Sequence, residues 1–217
     1  MERKTSPVPW AQIAAFVRQL SHDIRNDLNA LSLESALLKE LVTDPEAAVS
    51  ATRIQTQLRE VAARLKDLSA RYALPAAQLS AVSLLELGVH LQNATPAKDI
   101  EWKVSSSATE VQTDPALLGR AFRELVLNAT QYATSKEKPT AELSEEAGDG
   151  ATLILREPGA SEYDWPSLPF STLKAGRYGV GLYLAATILH DLGAEVTRQA
   201  TDGGLETRIK LPAASPS

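Results

Sequence analysis

Apolar residues recur at intervals of three and four along the start of the chain, which is the period of a helix with one apolar face. This apolar stripe consists of Ile13, Phe16, Val17, Leu20, Ile24, Leu28, Leu31 and Leu38. No proline or glycine interrupts the pattern from Trp10 to Leu41, so we expect one long helix there. At about 100° per residue, His22 lies opposite the stripe and should face solvent.

A tight turn and a second helix are predicted next. Thr43 and Glu46 have the spacing of a capping box, and Pro45 is tolerated in a first helical turn. The heptad-spaced apolar positions of this helix are Ile54, Leu58, Val61, Leu65, Leu68 and Tyr72. Two antiparallel helices cannot cover both of their apolar stripes, so we expect the hairpin to pair with a second copy as a four-helix bundle.

After Leu74 the pattern changes to short strands that alternate with helices. The predicted helices lie near Leu84–Gln92, Pro115–Ala133 and Val180–Leu192, and the predicted strands near Ile100–Val104, Glu110–Gln112, Thr140–Ser144, Ala151–Arg156, Glu195–Gln199 and Leu205–Leu211. The last two strands form a hairpin turned by Asp202-Gly203-Gly204. The expected fold class is α+β, with a helical hairpin over residues 1–74 and an α/β sandwich over residues 75–217.

Composition limits the classes of function. The 217 residues carry a formal net charge of −5 with no polybasic patch, so neither a nucleic acid nor a membrane surface is an expected partner. The absence of cysteine excludes disulfides and thiolate-bound zinc. The chain begins without a signal-peptide pattern and has no apolar run of about 18 residues, which favours a cytoplasmic location. His90 and His190 have no ligand partners at suitable spacing, and we expect both to be structural.

Three local patterns carry candidate chemistry. His22 is followed by Asp23, and Asn26 lies one helical turn further on the same face. Glu124 and Asn128 are one turn apart on a predicted helix, where their oxygens could hold Mg²⁺. The glycine-rich segment 176–182 leads into another helix, where backbone amides could approach phosphates. Taken singly, each pattern has an ordinary explanation. The His22 cluster also fits a polar helix face, the Glu124–Asn128 spacing also arises by chance, and the glycine-rich segment also fits a simple helix cap.

In this order, the patterns resemble the catalytic core of two-component sensor histidine kinases over nearly the whole chain. Ser21–Asn26 is similar to that family's phosphoacceptor box, and Arg123–Tyr132 to its N box. Gly176–Leu182 resembles the second glycine box, and Leu168–Phe170 the phenylalanine box before it. The resemblance implies that the second domain has the fold of the ATPases shared by gyrase, heat-shock chaperones and histidine kinases.

The resemblance also implies roles. Nε2 of His22 would attack the γ-phosphate of Mg-ATP, and Asp23 would accept or orient the imidazole proton. Asn26 would position water for dephosphorylation of a response regulator. The implied ATP-binding residues are Glu124, Asn128, Gln131, Glu157, Gly159, Gly176, Gly179 and Gly181, of which Asn128 and Glu124 would hold Mg²⁺.

The first glycine box is altered. This chain reads Glu157-Pro158-Gly159 where the family has Asp-x-Gly, and in the family that Asp accepts a hydrogen bond from the adenine amino group. Glu157 is longer than Asp, and Pro158 has no N–H group. Gln131 stands where many members place a lysine near the phosphates. The box is therefore degenerate.

Three interpretations remain open. In the first, the chain is a homodimeric histidine kinase that passes its phosphoryl group to a response-regulator receiver domain, with the signal supplied by a separate sensor protein. In the second, it is a histidine phosphotransferase of the same architecture that does not bind ATP. The altered first glycine box favours the second, whereas Asn128 and the second glycine box oppose it. The third, a non-catalytic dimeric scaffold or anti-sigma-like relative, leaves the His22 box unexplained.

Overall fold

The computed structural model describes residues 10–95, 98–105, 109–131, 136–146, 150–160 and 180–214. The chain divides into two compact units, Met1–Ala76 and Ala77–Ser217. The first unit consists of two long helices, and the second is an α/β sandwich with a mixed sheet. The α+β fold class predicted from the sequence is therefore confirmed.

The first unit is a helical hairpin made of α1 (Trp10–Leu41) and α2 (Pro45–Tyr72). α2 is capped by Asp44, whose side chain accepts a hydrogen bond from the Ala47 N–H at 3.0 Å. The predicted cap at Thr43 is wrong by one residue. Asp44 directly precedes Pro45 at the first helical position, and from there its carboxylate reaches the amide three residues on.

The apolar stripe of α1 contains both side chains that are buried against α2 and side chains that are exposed. Ile13, Val17 and Leu28 are buried within the hairpin, where Ser35 Oγ also donates to the Ala51 carbonyl of α2 at 3.2 Å. Ile24 is half-buried, and the remaining residues of the α1 stripe are exposed. Together with two exposed residues of the α2 seam they form a set that we call the open apolar face: Phe16, Leu20, Leu31, Leu38, Ile54 and Val61. The predicted seam of α2 divides in the same way, because Leu58, Leu65 and Leu68 are half-buried while Ile54 and Val61 are not.

The second unit contains β1 (Ser80–Ser83), α3 (Leu84–Ala94), β2 (Glu101–Val104), β3 (Glu110–Thr113), α4 (Pro115–Gln131), β4 (Thr140–Glu146), β5 (Gly150–Pro158), α5 (Gly181–Asp191), β6 (Glu195–Thr201) and β7 (Gly204–Leu211). Strands β2-β4-β5-β7-β6 form the main sheet. The β2–β4 pair is parallel and the other pairs are antiparallel. β1 and β3 form a separate two-stranded sheet, and β1 was not predicted.

One face of the main sheet, the inner face, carries the core. Leu143, Leu153 and Leu155 are fully buried on it, as are Phe122 of α4 and Ile188 of α5. The Phe122 ring also packs against the ring of Trp102, with the two ring centroids 5.2 Å apart. The period of two along a strand extends this face from Leu155 to Glu157, so the sheet carries a carboxylate into the interior.

Candidate active site

His22 lies on the exposed side of α1, as the periodicity predicts. Its side chain is 63% exposed, and Nδ1 lies 3.3 Å from Oδ1 of Asp23, which is 58% exposed. When Nδ1 carries the proton, it donates to this carboxylate and leaves the Nε2 lone pair unprotonated. The pair can therefore hold the imidazole in the tautomer that makes Nε2 a nucleophile.

Two further side chains join this cluster. Asn26 Nδ2 lies 3.4 Å from His22 Nδ1, and Gln19 Nε2 donates to Asp23 Oδ1 at 2.9 Å. Asn26 can donate only to an unprotonated Nδ1, so it favours the opposite tautomer from Asp23. Gln19 was missed in the sequence, although its spacing of four from Asp23 places the two side chains on the same helical face.

The second group of candidate residues lies on α4. Glu124 is buried and Asn128, one turn later, is half-buried. A Cβ atom added to Gly181 would lie 2.7 Å from Glu124 Oε2, so the glycine lets the start of α5 approach this carboxylate. The fold therefore brings Glu124 to the N-terminus of α5, where backbone amides carry partial positive charge.

Glu124, Asn128 and the N-terminus of α5 together provide a site whose chemistry fits a magnesium ion bound to a nucleotide. Carboxylate and amide oxygens are the ligands that Mg²⁺ prefers, and Mg²⁺ keeps several waters and phosphate oxygens as its other ligands. No group of three or more His, Cys, Asp or Glu side chains that could hold a metal occurs among the described residues. Glu124 and Asn128 carry oxygens of this kind and could hold such an ion.

Several predicted nucleotide contacts lie outside the described residues. Gly176 and Gly179 belong to the segment 161–179, as do the residues that resemble the phenylalanine box. Gln131 is the last residue of α4, and its side chain is likewise outside the described part.

Glu157 forms a buried ion pair. Its Oε1 accepts from Nη2 of Arg198 at 3.1 Å, and the two side chains are only 6% and 4% exposed. Thr207 Oγ1 accepts from Arg198 Nε at 3.1 Å and lies 3.5 Å from the same Glu157 oxygen. Burial raises the pKa of the Glu157 carboxyl group, although Arg198 and Thr207 oppose this shift.

Arg198 was missed because its role depends on tertiary structure. It lies 41 residues from Glu157, on the edge strand β6, and comes within reach only through the order β5-β7-β6. Arg198 pairs with Thr207, and Thr207 pairs with Leu155, which places all of these side chains on the inner face. The predicted β6–β7 hairpin could have indicated the pairing of Arg198 with Thr207, but nothing local indicates the pairing of Thr207 with Leu155.

Gly159 has a structural role that the sequence did not indicate. Its φ is +67°, and its N–H donates to the Gly203 carbonyl at 2.8 Å. The amide of Gly159, a residue that the resemblance implied to bind ATP, therefore joins the end of β5 to the β6–β7 turn.

His90 and His190, which we expected to be structural, are exposed, and each lies near a carboxylate. His90 Nε2 lies 4.0 Å from Glu86 Oε1, and His190 Nδ1 lies 3.5 Å from Asp191 Oδ1. Glu86 is four residues before His90 on α3, and this i,i+4 spacing should have indicated the pair.

Two family descriptions match the chain. Residues 12–71 match the His Kinase A (phospho-acceptor) domain, and residues 113–215 match the histidine kinase-, DNA gyrase B-, and HSP90-like ATPase. A search of the curated proteins found no match. No helix of the described residues is long and apolar enough to cross a membrane.

Solved structures share the fold. Full-length ShkA, solved in complex with AMPPNP, has a TM-score of 0.59 and 18% identity over 94% of this chain. The match covers 46% of ShkA, so this chain spans less than half the length of that relative. The nucleotide-free catalytic domain of the histidine kinase ThkA has a TM-score of 0.50 and 14% identity, over 62% of this chain and 97% of that one. With a phospho-acceptor domain followed by an ATPase domain, the chain belongs to the histidine kinase family.

Proposed function

We propose that this chain is the phosphoryl-transfer core of a protein-histidine kinase. His22 takes the γ-phosphoryl group of Mg-ATP and passes it to an aspartate of a response-regulator receiver domain. The observation that carries the proposal is the exposed imidazole whose Nδ1 lies 3.3 Å from the Asp23 carboxylate.

The chemistry follows from the protonation of the imidazole. The Nε2 lone pair forms the N–P bond while the bond from the γ-phosphorus to the bridging oxygen breaks, and ADP leaves with those electrons. Phosphorylated imidazole is cationic until Nδ1 loses its proton, and Asp23 is placed to receive it. The hydrogen bond from Gln19 restrains the Asp23 carboxylate in this position. Asn26 orients water during dephosphorylation of the regulator.

The proposed nucleotide site combines Glu124, Asn128 and the start of α5 with the glycine-rich segment 176–182. Glu124 and Asn128 would hold Mg²⁺, which would neutralise phosphate charge when bound. The phosphates would be bound by the amides at the start of α5, near Gly181, and Gly176 and Gly179 are proposed to contribute to the same site. Gln131 is proposed to contact the same phosphates.

The active unit is proposed to be a homodimer. The open apolar face leaves six large side chains of the hairpin uncovered, and pairing with a second hairpin would bury them. We further propose a cytoplasmic location and a separate sensor protein as the source of the signal.

The Glu157–Arg198 pair favours a second candidate function. A carboxylate that is held by a buried guanidinium is a poor hydrogen-bond acceptor for the base of a nucleotide. The ATPase-like domain could therefore function without binding ATP. The chain would then be a histidine phosphotransferase, in which a phosphorylated receiver domain supplies the phosphoryl group to His22.

One experiment with two donors separates these candidates. The full chain is incubated with Mg-ATP labelled on the γ-phosphate, or with receiver domains carrying labelled acyl phosphate. We expect acid-labile label from Mg-ATP and its later transfer to an added receiver. Label from receivers alone would favour the phosphotransferase, and no label from either donor would overturn both candidates.

A further inference from the structure

We infer that Gln19 is a positioning residue, which determines the tautomer of His22 by holding the Asp23 carboxylate at Nδ1 of the ring. The inference deepens the proposed function, because only the tautomer with an unprotonated Nε2 can take a phosphoryl group at that nitrogen. It rests on that function for its kinetic consequence alone, since the tautomer is a property of the unphosphorylated protein.

The imidazole of His22 has two partners at one nitrogen. Asp23 Oδ1 lies 3.3 Å from Nδ1, and Asn26 Nδ2 lies 3.4 Å from the same atom. Nδ1 either carries a proton and donates to the carboxylate, or carries a lone pair and accepts from the amide. The two hydrogen bonds therefore exclude each other. Because their distances are nearly equal, the choice between them depends on how firmly each partner is held.

Asp23 is the partner that a third side chain holds. Gln19 Nε2 donates to Asp23 Oδ1 at 2.9 Å, and this is the oxygen that lies next to Nδ1. A carboxylate oxygen can accept both hydrogen bonds at once. Among the residues that the structure describes, the side-chain amide of Asn26 makes no hydrogen bond other than the one with His22.

The exposure of the pair makes this support important. The side chains of His22 and Asp23 are 63% and 58% exposed, so water competes for both groups. Without an anchor, the Asp23 side chain loses rotamer freedom whenever it meets Nδ1. The hydrogen bond from Gln19 restricts that freedom in advance, because residues four apart lie on the same helical face. We therefore expect Gln19 to favour the tautomer with the proton on Nδ1.

Three variants isolate the donor. Gln19→Leu keeps a helix-forming side chain of similar size and removes the amide, so Asp23 loses its anchor. Gln12→Leu is the matched control, since it makes the same change at another exposed glutamine of α1, about 15 Å along the helix from His22. Gln19→Lys is the rescue variant, because an ammonium group at the i,i+4 spacing again donates to the Asp23 carboxylate.

The test is nitrogen NMR of the full chain with isotope-labelled histidine, without nucleotide and in alkaline solution, where imidazole groups are neutral. A ring nitrogen that carries a proton resonates well apart from one that carries a lone pair, and the signals of His22 are those lost in His22→Gln. We expect the ratio of the Nδ1–H to the Nε2–H tautomer to fall about two- to threefold in Gln19→Leu. The ratio should stay unchanged in Gln12→Leu and Gln19→Lys.

The competing donor is tested in the same way. Asn26→Leu removes the amide that donates to an unprotonated Nδ1, and should raise the ratio by about two- to threefold. The double variant Gln19→Leu, Asn26→Leu should lie between the two single variants. A ratio in Asn26→Leu that equals that of the unchanged protein would contradict the competition between Asp23 and Asn26.

Labelling of His22 measures the kinetic consequence. Gln19→Leu should lower kcat for labelling from Mg-ATP by the same factor as the tautomer ratio, about two- to threefold, and leave KM unchanged. The reason is that the substitution changes the nucleophile and leaves the second domain intact.

Other results would overturn the inference. These are an unchanged tautomer ratio in Gln19→Leu, an equal fall in Gln12→Leu, or a fall in Gln19→Lys as large as that in Gln19→Leu. If the ratio shifts as expected but neither phosphoryl donor labels His22, the proposed function fails while the positioning role of Gln19 stands.

Discussion

At His22, two neighbouring side chains contact Nδ1 and favour opposite tautomers of the imidazole ring. Asp23 accepts from a protonated Nδ1, whereas Asn26 can donate only to an unprotonated one, and both lie within 3.4 Å of that nitrogen. The sequence predicted this cluster because its members are adjacent or one turn apart on a single helix. Arg198 could not be predicted, because its contact with Glu157 depends on three neighbouring strands.

The role of Asp23 can be tested by removing its capacity to take a proton. We expect Asp23→Asn to slow labelling from Mg-ATP by about 10²–10⁴-fold, since the amide still accepts a hydrogen bond but is not a base. Single-turnover labelling with saturating Mg-ATP measures this rate. Asp27→Asn changes another exposed carboxylate of α1 and should leave it unchanged. Equal rates in the two variants would contradict the assigned role.

At the scale of elements, sequence periodicity was sufficient to predict the bounds of a helix that carries a single apolar stripe. The observed bounds of α1 are the predicted ones, Trp10 and Leu41. β1 was missed because Ser80-Ala81-Val82-Ser83 is short and only one of its side chains is buried. Its partner strand, β3, lies beyond α3 and β2 in the sequence, so no local sequence pattern indicates that the two strands pair.

The observed cap of α2 gives a stability prediction. Asp44→Ala removes the acceptor for the Ala47 N–H and should reduce the free energy of unfolding by about 1 kcal/mol. Thr43→Ala changes the neighbouring residue, which the sequence had suggested as the cap, and should cost much less. Urea denaturation followed by circular dichroism compares the two, and a larger loss for Thr43→Ala would contradict the observed cap.

The close approach of α5 to α4 can be tested at Gly181. Gly181→Ala places a Cβ 2.7 Å from Glu124 Oε2, so the carboxylate must move away from the start of α5. We expect Mg²⁺-dependent nucleotide affinity to fall by about tenfold, with little change in thermal stability. Gly203→Ala is the control, because a Cβ there meets nothing within 4 Å. Equal affinities for the two variants would argue against a role for Glu124 in the nucleotide site.

At the scale of the whole molecule, the side chains of the open apolar face are exposed, and the proposed dimer would bury them. The sequence predicted that two antiparallel helices cannot cover both of their apolar stripes, but it did not indicate that Leu58 of the α2 seam is half-buried while Ile54 is 44% exposed. Single-sequence periodicity cannot divide a wide stripe between a neighbouring helix and a second protein chain. The residues that test association are therefore those that the hairpin leaves uncovered.

We expect Leu31→Asp combined with Ile54→Asp to convert a dimer into a monomer, because each places an unpaired charge in the interface. Size-exclusion chromatography with light scattering measures the mass, and circular dichroism verifies that the helices remain. Leu85→Asp introduces a charge at an exposed apolar residue of α3 and should leave the dimer intact. A monomeric unchanged protein at micromolar concentration would contradict the proposed dimer.

The most direct test of the central claim is to locate the phosphoryl group on the chain. The protein is labelled from Mg-ATP or from a phosphorylated receiver, and the acid-labile, base-stable label is mapped by mass spectrometry under neutral conditions. We predict the label on His22, its loss in His22→Gln, and its retention in His90→Gln and His190→Gln, which alter the other exposed histidines. A protein that stays unlabelled with both donors, or that keeps its label in His22→Gln, would contradict the account.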